Sequence, residues 1–210
     1  MPVKTILNID KHEKLLKTPS EPVKKINKEV KALIKDIKDT MADPSIPALG
    51  LAAPQIGVLK RVFGIYLGFY DREEDDETEL EPTIFINAEV LEQSEETEVD
   101  REACLSIPGM AGDVTRQLKL KVRFMDEHGN MITRELENED ARAFQHELDH
   151  VNGIVFLQRL KSLDDLYVIT RDKRGKLVEV PYKQVVEQAN ASTEKSKVVP
   201  TVRKEKEADN

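Results

Sequence analysis

The clearest periodic pattern in the chain lies between residues 21 and 41, where apolar residues recur every three or four positions. This spacing places them along one face of a helix. The residues of this face are Val23, Ile26, Val30, Leu33, Ile34, Ile37 and Met41. Ser20 is a suitable N-cap and Pro22 suits a first helical turn, so we predict an amphipathic helix that begins directly after Ser20.

Short runs that look like strands follow this helix, and in the run 118–125 apolar residues alternate with charged or larger ones, which indicates a half-buried antiparallel sheet. The predicted strands cover residues 62–67, 83–91, 118–125 and 131–136. A turn around Gly129 and Asn130 joins the last two into a hairpin. The segment 48–57, which is rich in small residues, is not expected to be helical throughout.

A second helix is predicted over residues 138–152. Asn138 is a suitable N-cap, and Glu139 and Asp140 favour the positive end of the helix dipole. Gly153 follows the helix and can end it, because glycine readily adopts the left-handed conformation of a C-terminal stop.

The C-terminal part of the chain predicts a hairpin formed by residues 166–170 and 177–182, with a short helix at 184–189. From Ser192 to Asn210 the mixed charge and scarcity of bulky apolar residues predict a disordered tail. We therefore divide the chain into a catalytic domain (1–165), a hairpin and helix extension (166–191) and a tail (192–210). Seven carboxylates crowd residues 73–81, which are interpreted as a solvated loop insertion.

Composition narrows the class of protein. The 210 residues, 39% of them hydrophobic, are enough to bury one sizeable core. A net charge of -8 argues against broad binding of nucleic acid, which requires a basic field. No apolar run approaches the roughly 18 residues that span a bilayer, and residues 1–16 lack the pattern of a signal peptide. A single cysteine, Cys104, excludes an internal disulfide, so we expect a reducing, cytoplasmic compartment.

The string His146-Glu147-Leu148-Asp149-His150 carries the chemistry of the second helix. Its two imidazoles lie four residues apart, about one turn along the same face, so that a single metal ion can bind both. Glu147 is near enough to a water molecule on that ion to act as its proton acceptor. The alternative is a pair of incidental surface histidines.

A hydrolytic metal centre needs a third protein ligand and an open position for water. Cys104 is the candidate, although a lone cysteine is more often an inert buried residue. Its surroundings, a short segment of polar and small residues before Pro108, differ from a hydrophobic core strand. A zincin-type peptidase takes its third ligand from a later histidine or glutamate, and no histidine follows His150.

Three segments together resemble the peptide deformylase family. They read Ala-Leu-Gly-Leu-Ala-Ala-Pro-Gln at 48–55, Glu-Ala-Cys-Leu-Ser at 102–106, and Gln-His-Glu-Leu-Asp-His at 145–150, in the order of the family motifs. The resemblance covers about residues 6–160. Ala48 and Ala103 replace family glycines, which puts a left-handed backbone or a close substrate approach there in doubt. Glu139 and Asp140 stand where family members commonly place apolar residues near the methionine pocket.

The resemblance implies an α+β fold in which antiparallel β-sheets wrap around a central metal-binding helix. It implies three metal ligands, namely Cys104, His146 and His150, with Glu147 as general acid and base. It further implies catalytic or substrate-binding roles for a set of cleft residues. Gln55 and the backbone N–H of Leu105 would bind the developing oxyanion, and Leu49, Gly50 and Ala103 would bind the substrate. Without the family pattern, a surface amide in a loop is an equally good interpretation of Gln55.

The implied activity is removal of the formyl group from formylmethionine at the start of new polypeptides, in a bacterial cytoplasm. The implied cofactor is one divalent ion, Fe²⁺ in the cell, with Zn²⁺, Ni²⁺ or Co²⁺ as alternatives in purified protein. Formylmethionyl nascent peptides are the expected partners, with no membrane contact and no sequence-specific binding of nucleic acid. A ribosome contact through a basic cluster is an option, but a solvated hairpin is the more ordinary interpretation of this cluster: Lys161, Arg171, Lys173, Arg174 and Lys176. Two other functions stay open, a general zinc peptidase and a catalytically silent binding protein.

Overall fold

The computed structural model describes residues 3–73 and 80–196. The helices in these ranges are α1 (Ile9–Leu16), α2 (Lys28–Met41), α3 (Asn138–Val151) and α4 (Tyr182–Ser196). The strands are β1 (Gly50–Ala52), β2 (Val62–Ile65), β3 (Thr83–Gln93), β4 (Thr97–Cys104), β5 (Ile107–Gln117), β6 (Lys119–Met125), β7 (Met131–Glu137), β8 (Leu166–Arg171) and β9 (Leu177–Pro181). None of the helices in these ranges is long and apolar enough to cross a membrane.

The strands form two antiparallel sheets on either side of α3. One sheet has the order β1-β2-β3-β6-β7 and the other has the order β4-β5-β8-β9. Helix α3 contacts strands of both sheets, including β1, β2 and β5. The predicted α+β fold, with antiparallel sheets around a central helix, is therefore confirmed. Strands β1 and β4 each lie at the edge of their sheet.

Aromatic packing fixes α3 against the five-stranded sheet. Phe144 of α3 meets Phe63 and Phe85 edge to face, with ring centroids 5.6 and 5.3 Å apart. All three rings are fully buried, and such pairs add specific geometry to the burial of apolar area. The face of α3 opposite Phe144 is thereby turned towards β4 and β5.

The predicted start of the first long helix is wrong. Helix α2 begins at Lys28, and its N-cap is Asn27, whose side chain accepts a hydrogen bond from the Val30 N–H at 3.0 Å. Ser20 is instead buried, and its N–H donates to Val151 at the end of α3. The apolar pattern extended too far because Val23 belongs to the same buried cluster as α2, although it lies before the helix begins.

The predicted helix that carries the His-Glu-Leu-Asp-His string agrees with α3, except at its cap. The N-cap residue is Glu137, and Asn138 is the first helical residue, with a φ of 52°. Gly153 ends the helix as predicted, with a φ of 74°. A Cβ on Gly153 would lie 2.7 Å from the carbonyl oxygen of Lys17, so this position requires glycine for both its conformation and its space.

The predicted strands correspond to β2, β3, β6 and β7, and the predicted C-terminal hairpin corresponds to β8 and β9. The pattern missed α1, β1, β4 and β5. It missed β4 because the buried positions near the end of this strand carry Glu102 and Cys104 rather than large apolar residues. Helix α4 continues to Ser196, beyond the predicted start of the tail at Ser192. Residues 74–79 of the acidic segment and the tail residues 197–210 lie outside the described residues.

Candidate metal centre and active site

Three side chains that can bind a metal converge at the edge of the four-stranded sheet. Cys104 ends β4, while His146 and His150 lie one turn apart on α3. One potential ligand atom from each lies within 4.8 Å of the other two, and the Cys104 Sγ lies 3.3 Å from the His150 Nε2. The histidines are therefore not incidental surface residues, since His150 is only 1% exposed.

The chemistry of this group fits a single transition-metal ion. Burial alone raises the pKa of the Cys104 thiol, but the neighbouring His150 and His146 outweigh this effect and hold the pKa well below its ordinary value. The thiolate is the form that binds metals. One thiolate with two imidazoles suits zinc or iron, and three protein ligands leave a further position for water.

Glu102 orients the first histidine. Its Oε2 lies 2.9 Å from the His146 Nδ1. An ionised carboxylate can only accept, so the proton is on Nδ1, and Nε2 is left for a metal. Burial disfavours the charged form of Glu102, but hydrogen bonds from Arg116 and His146 outweigh it and hold the pKa of this carboxyl far below its ordinary value. Glu102 thus stays ionised beside the metal ligand.

A buried chain of charges supports Glu102. Arg116 donates to Glu102 through Nε and Nη2, at 2.8 and 3.0 Å, and through Nη1 to Asp149 at 2.7 Å. Arg142 donates to Glu102 at 3.2 Å, and Arg159 donates from Nε to Asp149 at 2.9 Å. These contacts tie β4, β5 and α3 together directly behind the metal ligands.

Sequence reasoning assigned no role to this chain of charges. The position of Glu102, two residues before Cys104, could have indicated a role beside the metal ligand, because side chains two residues apart in a strand share a face. Glu102 therefore lies on the same face of β4 as Cys104. Arg116 gives no comparable local signal, since its partners are 14 and 33 positions away in the sequence.

Glu147 lies in the same cavity as the three ligands. It is 4% exposed, and its Oε2 is buried without a hydrogen-bond partner among the described residues. Burial raises the pKa of Glu147 to about 7, against the opposing effect of His150 and His146. A Cβ on Gly50 would lie 2.6 Å from the Glu147 Oε1, so only glycine at position 50 lets β1 approach this carboxylate so closely.

Gln55 is not a surface amide. It is 2% exposed, and it lies in a 3-10 turn, Ala53–Ile56, directly after β1. Its Oε1 accepts from the Ala52 N–H at 2.8 Å, while its Nε2 donates to the Cys104 Sγ at 3.6 Å. The first bond fixes the orientation of the amide and points its N–H groups towards the metal ligands.

The predicted site residues surround one cavity of about 480 Å³, a size that is ordinary for a small-molecule site. The predicted residues that line it are Leu49, Gly50, Gln55, Ala103, Cys104, Leu105, His146 and Glu147. His150 completes the ligand group. A larger cavity of about 710 Å³ lies beside α2 and contains none of these residues.

The alanines that replace family glycines do not require unusual backbone geometry. Among the described non-glycine residues, only Asn87 and Asn138 have a positive φ. Ala48 and Ala103 therefore adopt ordinary conformations, and a methyl group at either position causes no left-handed strain.

Cys104, His146 and His150 would hold one metal ion, which would supply the acidity that activates water, and the buried carboxylate of Glu147 in the same cavity could take the proton from this water. In this mixed α+β fold, the arrangement is that of a metal-dependent hydrolase. A family model described as polypeptide deformylase matches residues 3–165. The chain belongs to the polypeptide deformylase family.

Individual proteins that are similar to the chain are also peptide deformylases. The chain is 40% identical to a peptide deformylase of Afipia carboxidovorans over 163 residues, which are 78% of this chain and 90% of that protein. It is 42% identical to peptide deformylase 2 of Clostridium perfringens over 166 residues, 79% of this chain and 98% of that protein. The crystal structure of peptide deformylase from Thermotoga maritima is similar with a TM-score of 0.67 at 32% identity, covering 77% of this chain and all of that one.

Proposed function

We propose that this chain hydrolyses the N-formyl group of formylmethionine at the start of newly made polypeptides and releases formate. Family membership supports the reaction. The observation that carries the proposal is the convergence of Cys104, His146 and His150, with Glu147 in the same cavity. Among the described residues this group has three ligands rather than four, which favours a catalytic site over a closed structural site.

The proposed cofactor is one divalent ion bound by Cys104, His146 and His150, with Fe²⁺ as the ion in the cell. When bound, such an ion supplies Lewis acidity, which makes water more acidic and polarises a carbonyl group. The order of metal affinities alone favours zinc over iron. Iron therefore occupies the site in the cell only if the availability of each metal, rather than its affinity, determines which ion binds.

Glu147 is proposed as the general base and then the general acid. It takes a proton from the water that attacks the formyl carbon and returns it to the nitrogen of the departing amine. Burial raises the pKa of Glu147, so its carboxylate is a stronger proton acceptor than that of an exposed glutamate.

Gln55 and the backbone N–H of Leu105 are proposed to stabilise the oxyanion of the tetrahedral state. The Gln55 amide is held in place by Ala52, so it needs no reorganisation as charge develops. Leu105 lies in the turn that joins β4 to β5, immediately after Cys104.

The substrate peptide is proposed to lie between the two edge strands that border the cavity. Leu49, directly before β1, and Gly50 of β1 border the cavity on one side, and Ala103 of β4 borders it on the other. Edge strands offer unpaired backbone groups, so an extended peptide can add to them as another strand.

Two further parts of the proposal concern the place of action. Bacterial relatives support a bacterial cytoplasm. A ribosome contact through the basic hairpin is supported only by exposed positive charge, at residues such as Lys173 and Arg174.

The test is formate release from formyl-Met-Ala, with acetyl-Met-Ala and free Met-Ala as controls. Apoprotein is reloaded with iron, zinc, nickel or cobalt under anaerobic conditions, and turnover per bound metal is measured before and after exposure to air. We expect turnover of the formylated peptide alone, with an iron form that air inactivates. No formate release from any metal form would contradict the activity, while zinc matching iron without air sensitivity would contradict only the choice of iron.

A further inference from the structure

The hairpin β8–β9 presents one face towards the catalytic cavity. Ile169 and Glu179 are directly paired across the hairpin, and Tyr167 lies two residues before Ile169, so these three side chains share a face. Ile169 and Glu179 line the same cavity as Cys104 and Glu147. Both strands lie beyond residue 165, where the match to the family model ends.

Arg101 fastens this face of the hairpin to β4. Its guanidinium carbon lies 3.5 Å from the centroid of the Tyr167 ring, and it forms an ion pair with Glu179. Its Nε donates to Asp113 at 2.7 Å, and the Tyr167 hydroxyl donates to the same carboxylate at 3.0 Å. These contacts attach the hairpin to β4 at Arg101, which lies three positions before Cys104.

Strand β5 lies between β4 and the hairpin. Ala103 of β4 pairs with Ala111 of β5, which pairs in turn with Tyr167 of β8. A peptide that adds to the edge strand β4 runs along this strand, and Arg101 lies three residues from Cys104, which corresponds to about 10 Å at roughly 3.3 Å per residue. When the formyl group is at the metal ligands, the third residue of the peptide therefore lies beside Arg101 and its hairpin partner Glu179.

We infer that the β8–β9 hairpin is a peptide-binding subsite that takes the third and fourth residues of the formylated peptide. This inference depends on the proposed deformylase activity, which places the formyl group at the metal ligands. Ile169 is half-buried at the cavity wall and offers an apolar contact, while Arg101 and Glu179 neutralise each other beside it. The subsite therefore favours an apolar side chain at these positions of the peptide.

The experiment compares formyl-Met-Ala with formyl-Met-Ala-Ser-Leu in wild-type protein and in Ile169→Ala, all loaded with the same metal. In wild-type protein we expect kcat/KM to be about three- to tenfold higher for the longer peptide, through a lower KM, as burial of part of one apolar side chain predicts. Ile169→Ala should bring this ratio close to one, with the change again in KM rather than in kcat.

Val178→Ala is the matched control. Val178 is a half-buried residue next to Glu179, so its side chain lies on the opposite face of the hairpin. This variant should keep the full ratio between the peptides. Thermal unfolding of both variants separates a folding defect from a change in the cavity.

A second variant, Glu179→Gln, removes the ion pair with Arg101 while leaving Ile169 in place, and it should lower the ratio in part. A wild-type ratio near one, or a full ratio in Ile169→Ala, would overturn the inference while leaving the deformylase activity intact. Wild-type protein that releases no formate from either peptide would instead overturn the proposed function, and the inference with it.

Discussion

Substitution of Glu102 by glutamine tests whether the buried charges support the metal centre. Glu102 is 5% exposed and accepts hydrogen bonds from Arg116, Arg142 and His146. Glutamine has nearly the same shape, but an NH₂ group replaces one of the two accepting oxygens. In either orientation of the amide, its NH₂ faces donor groups of Arg116, Arg142 or His146. About half of the hydrogen bonds that Glu102 accepts are therefore lost.

The magnitude follows from the burial of the partners. Arg116 and Arg142 are buried as well, and removal of one partner from a buried ion pair costs about 3–5 kcal/mol. For a protein of this size, each kcal/mol corresponds to about 2–4 °C, so the melting temperature should fall by about 6–20 °C. Loss of the carboxylate from His146 should also weaken metal binding by about 10- to 100-fold.

The assay combines thermal unfolding of the metal-loaded protein with competition for the metal by a chelator. Glu98→Gln is the matched control, because Glu98 is an exposed carboxylate on the same strand and should change stability by at most about 0.5 kcal/mol. The reasoning is refuted if Glu102→Gln has the melting temperature and the metal affinity of the control. Lower stability with unchanged metal affinity would show that the charges support the fold but do not position His146.

Three other substitutions test the proposed roles in the site. Glu147→Gln should keep the metal but lower kcat by about 10²- to 10⁴-fold. A metal-loaded Glu147→Gln variant with near wild-type turnover would contradict the role of general base. Cys104→Ser should fold but bind metal weakly, because a neutral hydroxyl replaces a thiolate; unchanged metal content and activity would make Cys104 an ordinary buried residue. Gly50→Ala places a methyl 2.6 Å from the Glu147 Oε1 and should lower kcat by at least about tenfold. A kcat near the wild-type value in this variant would show that the close approach of β1 does not position Glu147.

The parts of the site that could be predicted from the sequence are those encoded by local spacing. His146 and His150 share a helix face because they lie four residues apart, and this holds wherever the helix packs. Gly153 could be identified as the helix stop because it is a glycine directly after the predicted helix, which is also a local signal. Cys104 could be named as the candidate third ligand from its polar, small-residue surroundings, whereas the role of Gln55 required the family motifs. Nothing local indicates that these two residues, 49 positions apart, come within 3.6 Å of each other.

The parts that could not be predicted depend on strand register and on polar residues in the interior. Strand β4 lacks the alternation of apolar residues because its buried face carries Glu102 and Cys104. Strand β5 carries Pro108, Gly109 and Gly112, which are typical of turns. Functional sites commonly break the local rules of patterning, and here the strand that supplies a metal ligand is among the strands that the pattern missed.

The two faces of α3 explain how one helix serves both the fold and the chemistry. Phe144 packs against the five-stranded sheet, whereas Asp149 pairs with Arg116 of the four-stranded sheet. These contacts on opposite sides fix the rotation of the helix, so that His146 and His150 face the end of β4. Because Cys104 belongs to the four-stranded sheet and both histidines belong to the helix, a bound ion connects elements that are otherwise joined through packing and buried charge. Metal affinity and the docking of β4 on α3 are therefore coupled, because Arg116 joins Glu102 of β4 to Asp149 of α3 and Glu102 also orients His146.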